Sequence, residues 1–251
     1  ALFGLHASMT LGPKTMERCA AALERLDVGV HVHVGEAECD GEVTRNEFHE
    51  NLMERFEQYG MTGPGSLFAH GIHLDDEGIA IIHQSNSMMV TNPESNMNNG
   101  LYVTPVLELL QKGVLLGLGT DGMSNALIAQ ARAAYLVQRD THRDPRIAFV
   151  EACEMLLKNN RTICSRLFKE HRGHLIAGKQ ADVAVFDYKP FTPFRADTFY
   201  GHLLFGLAHA PVRHTVCRGQ VVVEDGRLPH LDEAALCAKA TEHAKKLWAR
   251  F

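Results

Sequence analysis

Residues 28–38 read VGVHVHVGEAE. Valine and histidine alternate strictly from Val30 to Val34, the period of two that marks a β-strand. On such a strand the valines share one face, and the imidazoles of His31 and His33 share the other. Gly35 ends the run and lets the chain turn. Glu36 then follows His33 by three residues, at the carboxyl end of the strand. In parallel α/β folds that end is where active sites are built. The alternative, two ordinary core histidines, requires a buried partner for each ring, which is costly without a function to keep it.

The flanking sequence repeats the strand-then-helix theme. ALFGLHAS reads as a strand and GPKTMERCAAALERL as a helix with Pro13 in its first turn. TRNEFHENLMERFEQYG reads as one helix stopped by Gly60, GSLFAHGIH as a strand, and DDEGIAIIHQS as a helix with acids in its first turn. SMMVTNP is a strand halted by Pro93, VTPVLELLQKG a helix, VLLGLGTDG a strand and ALIAQARAAYLVQRD a helix. Strands alternating with helices of this length indicate βαβ units and a parallel sheet. One further helix, RIAFVEACEMLLKNNRTICSRLF, closes this series. From about Gly173 the pattern turns β-like, in GHLIAGKQADVAVFDY and PVRHTVCRGQVVVEDGRL. The tail DEAALCAKATEHAKKLWARF reads as an amphipathic helix that packs Leu236, Ala240 and Leu247. The expected division is 1–172, 173–230 and 231–251.

Composition narrows the function classes. The chain has 251 residues, 45% of them hydrophobic, enough for a substantial core. A net charge of -5 supplies no basic field for nucleic acid. No apolar run approaches the roughly 18 residues of a membrane span, and the opening lacks a basic signal-peptide region. Six scattered cysteines without a CxxC pair read as reduced thiols, so a cytoplasmic protein is expected. The chain does not begin with methionine and opens inside a strand, which reads as a piece of a longer protein.

Two more strand ends carry chemistry. His70 closes the apolar SLFAH, and Asp121 follows VLLGLGT. An unpaired carboxylate at a buried strand end costs several kcal/mol, so a partner such as a metal is called for. A helix cap is the plainer reading of Asp121, and a structural ring that of His70. Together, His33, Glu36, His70 and Asp121 form a series of imidazole and carboxylate groups at successive strand ends. Those donors suit zinc or iron, and Glu36 has the position of a proton shuttle.

The segments HVHVGEAE, LFAHGIHLDDEGI, VTNPESNMNNG and VLLGLGTDGMSN, in this order, resemble the amidohydrolase superfamily in its deaminase and chlorohydrolase branch. Within that branch the opening GLHASMTL most resembles the SsnA-type aminohydrolases. The resemblance implies an α/β fold: the C-terminal part of a (β/α)8 barrel, strands four to eight, with a small β-sandwich appendage from 173 onward. It implies one divalent metal, zinc or iron, with His33 and Asp121 as ligands. Glu36, His70 and Asp121 become the catalytic residues: proton shuttle, contact to the attacking water, and base. His6, Asn92, Ser95 and Asn96 fall where substrate would be met, and His31 has no fixed role.

The implied reaction is hydrolytic removal of an amino group from a purine, pterin or triazine. Loss of chloride, or cleavage of an amide, follows the same chemical path and stays open. One feature departs from the family pattern: the first-strand His-x-His pair, which supplies two metal ligands, has no counterpart before Ala1. An inactive remnant or partner-binding subunit therefore also stays open. Association as a homo-oligomer, or with a missing N-terminal segment, is expected to cover the strand edges.

Overall fold

The computed structural model describes residues 1–169 and 172–251. These form two compact units, 1–169 with 194–208, and 172–193 with 209–251.

The first unit is built on five parallel strands hydrogen-bonded in chain order: β1 (Phe3–Ala7), β2 (Val30–Val34), β3 (Leu67–His70), β4 (Met88–Thr91) and β5 (Leu115–Leu118). Between them run α1 (Pro13–Leu23), α2 (Glu38–Phe48), α3 (Leu52–Gln58), α4 (Asp76–Gln84), α5 (Pro93–Asn98) and α6 (Val106–Gln111). After β5 come α7 (Leu127–His142), α8 (Phe149–Glu154), a π-helical turn at Met155–Asn159, and α9 (Asn160–Phe168). The register places Val34 beside His70 and Thr91 beside Leu118, so the carboxyl ends of the strands lie level.

The alternation in VHVHV separates the two faces as expected. Val30, Val32 and Val34 are essentially unexposed and join one core with Met16, Met53, Phe56, Phe68 and Ile82 from the strands and helices around them. Full burial of a valine contributes roughly 1.5–3 kcal/mol, which fixes the register of β2 against a one-residue slip. His31 is exposed and His33 half-buried on the opposite face. They line a concavity of about 550 Å³ together with Ala69, Val90, Asn92 and Asp121.

Three helical expectations change. The single helix read over 44–60 is two, because His49 adopts a left-handed φ of 59° and caps α2 through its N–H to Arg45 O. The long helix after residue 146 contains the π turn. Helix α5, where no helix was expected, contains Ser95 and Asn96 and begins directly after Asn92, three of the four expected substrate residues.

The second unit holds a three-stranded antiparallel sheet: β6 (Val183–Phe186), β7 (Val212–Cys217) and β8 (Gln220–Val223). β7 and β8 form a hairpin through Arg218 and Gly219, both at positive φ. Helix α10 (Phe199–Phe205), within the stretch read as β-like, returns to the first unit. This breaks the expected division at 173–230. The C-terminal helix α11 (Glu233–Trp248) groups with the second unit, but it buries none of its residues, and Leu236 and Leu247 are 53% and 49% exposed. The expected packing of Leu236, Ala240 and Leu247 is thus not made within the described residues.

Candidate active site

Groups at or just beyond the carboxyl ends of β2, β3 and β5 come together at one edge of the parallel sheet. Among the described residues, one group of three offers ligand atoms that all lie within 4.8 Å of one another: Glu36, His70 and Asp121. His70 Nε2 is 3.8 Å from Glu36 Oε2 and 3.9 Å from Asp121 Oδ2. The His33 ring stands outside that tight group, with its centroid 5.3 Å from the His70 ring. His6 is exposed, hydrogen-bonds Thr10 Oγ1 through Nδ1 at 2.8 Å, and packs edge-on against His33.

Local backbone conformation aims these groups. Gly35 turns the chain between His33 and Glu36 at φ 55°, and a Cβ there would lie 2.9 Å from the His73 carbonyl oxygen. Glycine is thus needed for both the turn and the contact. Gly35 O accepts from the N–H groups of Ile72 and His73, which ties the loop after β2 to the loop after β3. His70 and Asp121 both have left-handed φ, 74° and 50°. Such strain costs about 1–3 kcal/mol per residue and concentrates at functional sites. Around His70 it is held by Thr104, which donates to the His70 carbonyl at 2.9 Å, and by Gly71 N–H to Val34 O.

The expected substrate residues Asn92, Ser95 and Asn96 are each 4% exposed and spend their side chains on the other site residues. Asn96 Oδ1 lies 2.9 Å from His70 Nδ1, and Asn92 Nδ2 lies 3.5 Å from His70 Nε2. Ser95 Oγ donates to Asp121 Oδ2 at 2.6 Å. That hydroxyl, with the Gly122 N–H and the nearby imidazoles, holds the Asp121 carboxyl below its ordinary range against the opposing effect of partial burial.

Asp40 was not singled out from the sequence. It is 2% exposed and accepts from Gly35 N at 3.0 Å and Met9 N at 3.2 Å, bracing the Glu36 turn against the end of β1. Burial pushes its carboxyl above the usual range. The legible signal was an acid four residues beyond Glu36, in the first turn of α2.

The amidohydrolase family signature matches residues 1–222. The chain belongs to the amidohydrolase family. It is 28% identical over 252 residues to 5-methylthioadenosine/S-adenosylhomocysteine deaminase of Desulforudis audaxviator, a match covering 98% of this chain and 58% of that protein. It is 27% identical over 251 residues to 5'-deoxyadenosine deaminase of Methanothermobacter thermautotrophicus, covering 97% and 57%. This amidohydrolase chain therefore spans a little under three fifths of the length of these relatives. Its fold is similar to that of a zinc-bound adenosine deaminase from Xanthomonas campestris, with a TM-score of 0.84 at 21% identity over 99% of this chain and 57% of that one. No helix among the described residues is long and apolar enough to cross a membrane.

Proposed function

We propose that this amidohydrolase chain forms the catalytic C-terminal part of a metal-dependent aminohydrolase that removes the amino group from a purine-type heterocycle. In this reading β1–β5 are the fourth to eighth strands of a (β/α)8 barrel, and the three-stranded sheet is part of a β-sandwich beside it. The further length of the relatives would supply the remaining strands. The observation that carries the proposal is the meeting of Glu36, His70 and Asp121 within 4.8 Å at one end of the sheet, with His33 alongside. The relatives named for adenosine derivatives favour a purine over a pterin or triazine. Six free cysteines support a reducing, cytoplasmic setting.

The residues present fit a divalent metal. Two ligand atoms on one zinc, each at about 2.0–2.2 Å, lie within about 4.4 Å of each other. The His70–Glu36 and His70–Asp121 separations of 3.8 and 3.9 Å meet that limit with nitrogen and oxygen donors. Of the two ligands expected from the sequence, Asp121 belongs to this close group and would hold the metal, while the His33 ring lies beside it, 5.3 Å from the His70 ring between centroids; zinc is favoured over iron by the zinc-bound structural relative. When bound, the metal would act as a Lewis acid that makes water a nucleophile at neutral pH.

The chain's own groups then divide the proton work. Asp121, kept ionised by Ser95, accepts the proton lost as water adds to the amine-bearing carbon. Glu36, one third exposed at the mouth, protonates the neighbouring ring nitrogen. The carbon–nitrogen bond breaks as the amine takes up the proton held by Asp121 and leaves as ammonia, while the added hydroxyl returns a proton to Glu36 and becomes the carbonyl oxygen of the product.

The test uses the whole enzyme. Glu36→Gln should lower ammonia release from adenine nucleosides by about 10²–10⁴-fold while leaving metal content intact. Turnover near the wild-type rate would refute the shuttle. Chloride release from a chlorotriazine, with no ammonia from nucleosides, would replace deamination by dechlorination.

A further inference from the structure

His70 is 1% exposed, and its two ring nitrogens face different surroundings. Nδ1 lies 2.9 Å from Asn96 Oδ1, whereas Nε2 looks toward Glu36 and Asp121. Which nitrogen carries the proton of the neutral ring decides whether His70 offers the site a donor or an acceptor.

The answer is set at Thr104. Its Oγ1 lies 2.9 Å from the carbonyl oxygen of His70, which can only accept. The one hydroxyl proton of Thr104 is therefore spent there. Toward its other neighbours, Thr91 Oγ1 at 2.8 Å and Asn96 Nδ2 at 3.3 Å, Thr104 acts as acceptor. Asn96 must then turn its NH2 group to Thr104, which leaves its carbonyl oxygen against His70 Nδ1. An amide oxygen has no proton to give, so the ring proton sits on Nδ1.

We infer that Asn96, oriented by Thr104, locks neutral His70 with its proton on Nδ1 and its Nε2 lone pair turned into the site. Asn92 agrees, placing its Nδ2 3.5 Å from Nε2, a donor beside an acceptor. Neutral His70 then has no N–H to offer an oxygen anion. It enters the chemistry as an acceptor, toward water or a cation. With the two carboxylates the cluster becomes a set of acceptors alone, which repel one another until a cation or a donor lies between them. Asn96, expected as a substrate contact, is a positioning residue. The inference deepens the metal-site reading above and rests on it only for the affinity measurement below.

Histidine ¹⁵N-labelled, metal-free protein at pH 8 gives the direct test, with His70→Gln to assign the signal. Two-bond proton–nitrogen correlation should show a protonated, pyrrole-type Nδ1 and a bare, pyridine-type Nε2. The reverse pattern overturns the inference. Asn96→Asp loses the donation to Thr104 but keeps an oxygen beside Nδ1 that can only accept, so Nδ1 should stay protonated. Asn96→Leu should lose the pattern and weaken zinc binding about 10–100-fold in a competition titration. Should Asn96→Leu fail to fold, the wild-type and Asn96→Asp spectra decide. An unchanged tautomer and unchanged zinc affinity in folded Asn96→Leu would remove the positioning role. The predicted tautomer in a whole enzyme that takes up no zinc would end the metal reading and leave this one standing. Tight zinc binding with the proton on Nε2 would do the opposite.

Discussion

Ser95 donates its hydroxyl to Asp121 Oδ2 across 2.6 Å, so the first turn of α5 holds the carboxylate that ends β5. A charge-assisted bond of this length is among the stronger single contacts a side chain can make. It joins positions 26 residues apart and fixes a group whose backbone is already in the left-handed region.

Removing that hydroxyl should change how Asp121 titrates. The Ser95 bond is the largest of the effects that hold its carboxyl below the ordinary range. Ser95→Ala should therefore move the Asp121 midpoint upward, toward the ordinary carboxylate range. The sign for stability follows. A folded pKa below the unfolded one contributes stability that is present above the unfolded value and lost as pH falls through the folded value. Wild type should thus exceed Ser95→Ala in urea midpoint at pH 6, with the gap closing below about pH 4. Carboxyl ¹³C titration reads the midpoint directly, and an Asp121 midpoint unmoved by the substitution would contradict the assignment.

Asn160 grips the other edge of the same strand. Its Oδ1 accepts from Leu118 N at 2.8 Å, and its Nδ2 donates to Leu118 O at 3.0 Å. Asn159 adds a bond to Leu116 O at 2.7 Å. This works because Gly117 has no side chain: a Cβ there would lie 2.2 Å from Asn160 Oδ1 and 2.7 Å from Ile163 Cδ1. Gly117→Ala should displace the asparagine, free both Leu118 groups and cost about 2 kcal/mol or more. Asn160→Ala removes the same bonds, so the double variant should lose less than the sum of the singles. Thermal unfolding of the four proteins measures the coupling, and strict additivity would deny it.

The parallel sheet was legible because each strand is a short apolar run closed by a residue with chemistry in it. VHVHV shows its faces by alternation, and SLFAH and VLLGLGTD end on the groups that converge. The break at His49 left no such trace, since EFHENLMERF contains neither glycine nor proline. The π turn was equally silent, being written in ordinary helix formers. Helix α5 is six residues of PESNMN, a composition that reads as loop. It forms where Ser95 and Asn96 find Asp121 and His70, contacts that bridge 26 residues in each case. Local pattern could mark His33, Glu36, His70 and Asp121 as groups at strand ends but could not show that Ser95 and Asn96 hydrogen-bond two of them.

Arg55 carries the last prediction. It is 1% exposed and stands under the loop that leaves β1. Nη1 donates to the carbonyl and hydroxyl oxygens of Ser8, both at 2.9 Å, and Nη2 donates to Leu11 O. Nε pairs with Glu50 at 3.0 Å, and the guanidinium lies over the Phe48 ring at 3.7 Å. Ser8 Oγ in turn shares a hydrogen bond with Thr44 Oγ1 at 2.8 Å, one helical turn after Asp40, which braces the Glu36 turn. A lysine brings one point charge where a planar fork serves four oxygens from three directions. Arg55→Lys should therefore destabilise by about 2 kcal/mol, through acceptors left unmet in a dry site. Arg55→Met leaves Glu50 without its buried partner and should cost more, about 3–5 kcal/mol. Because the arginine is enclosed, these losses should change little between low and high salt, unlike those of a surface pair. Urea denaturation at two ionic strengths measures both quantities, and a lysine variant within about 0.5 kcal/mol of wild type would mean that the guanidinium fork does not hold this loop.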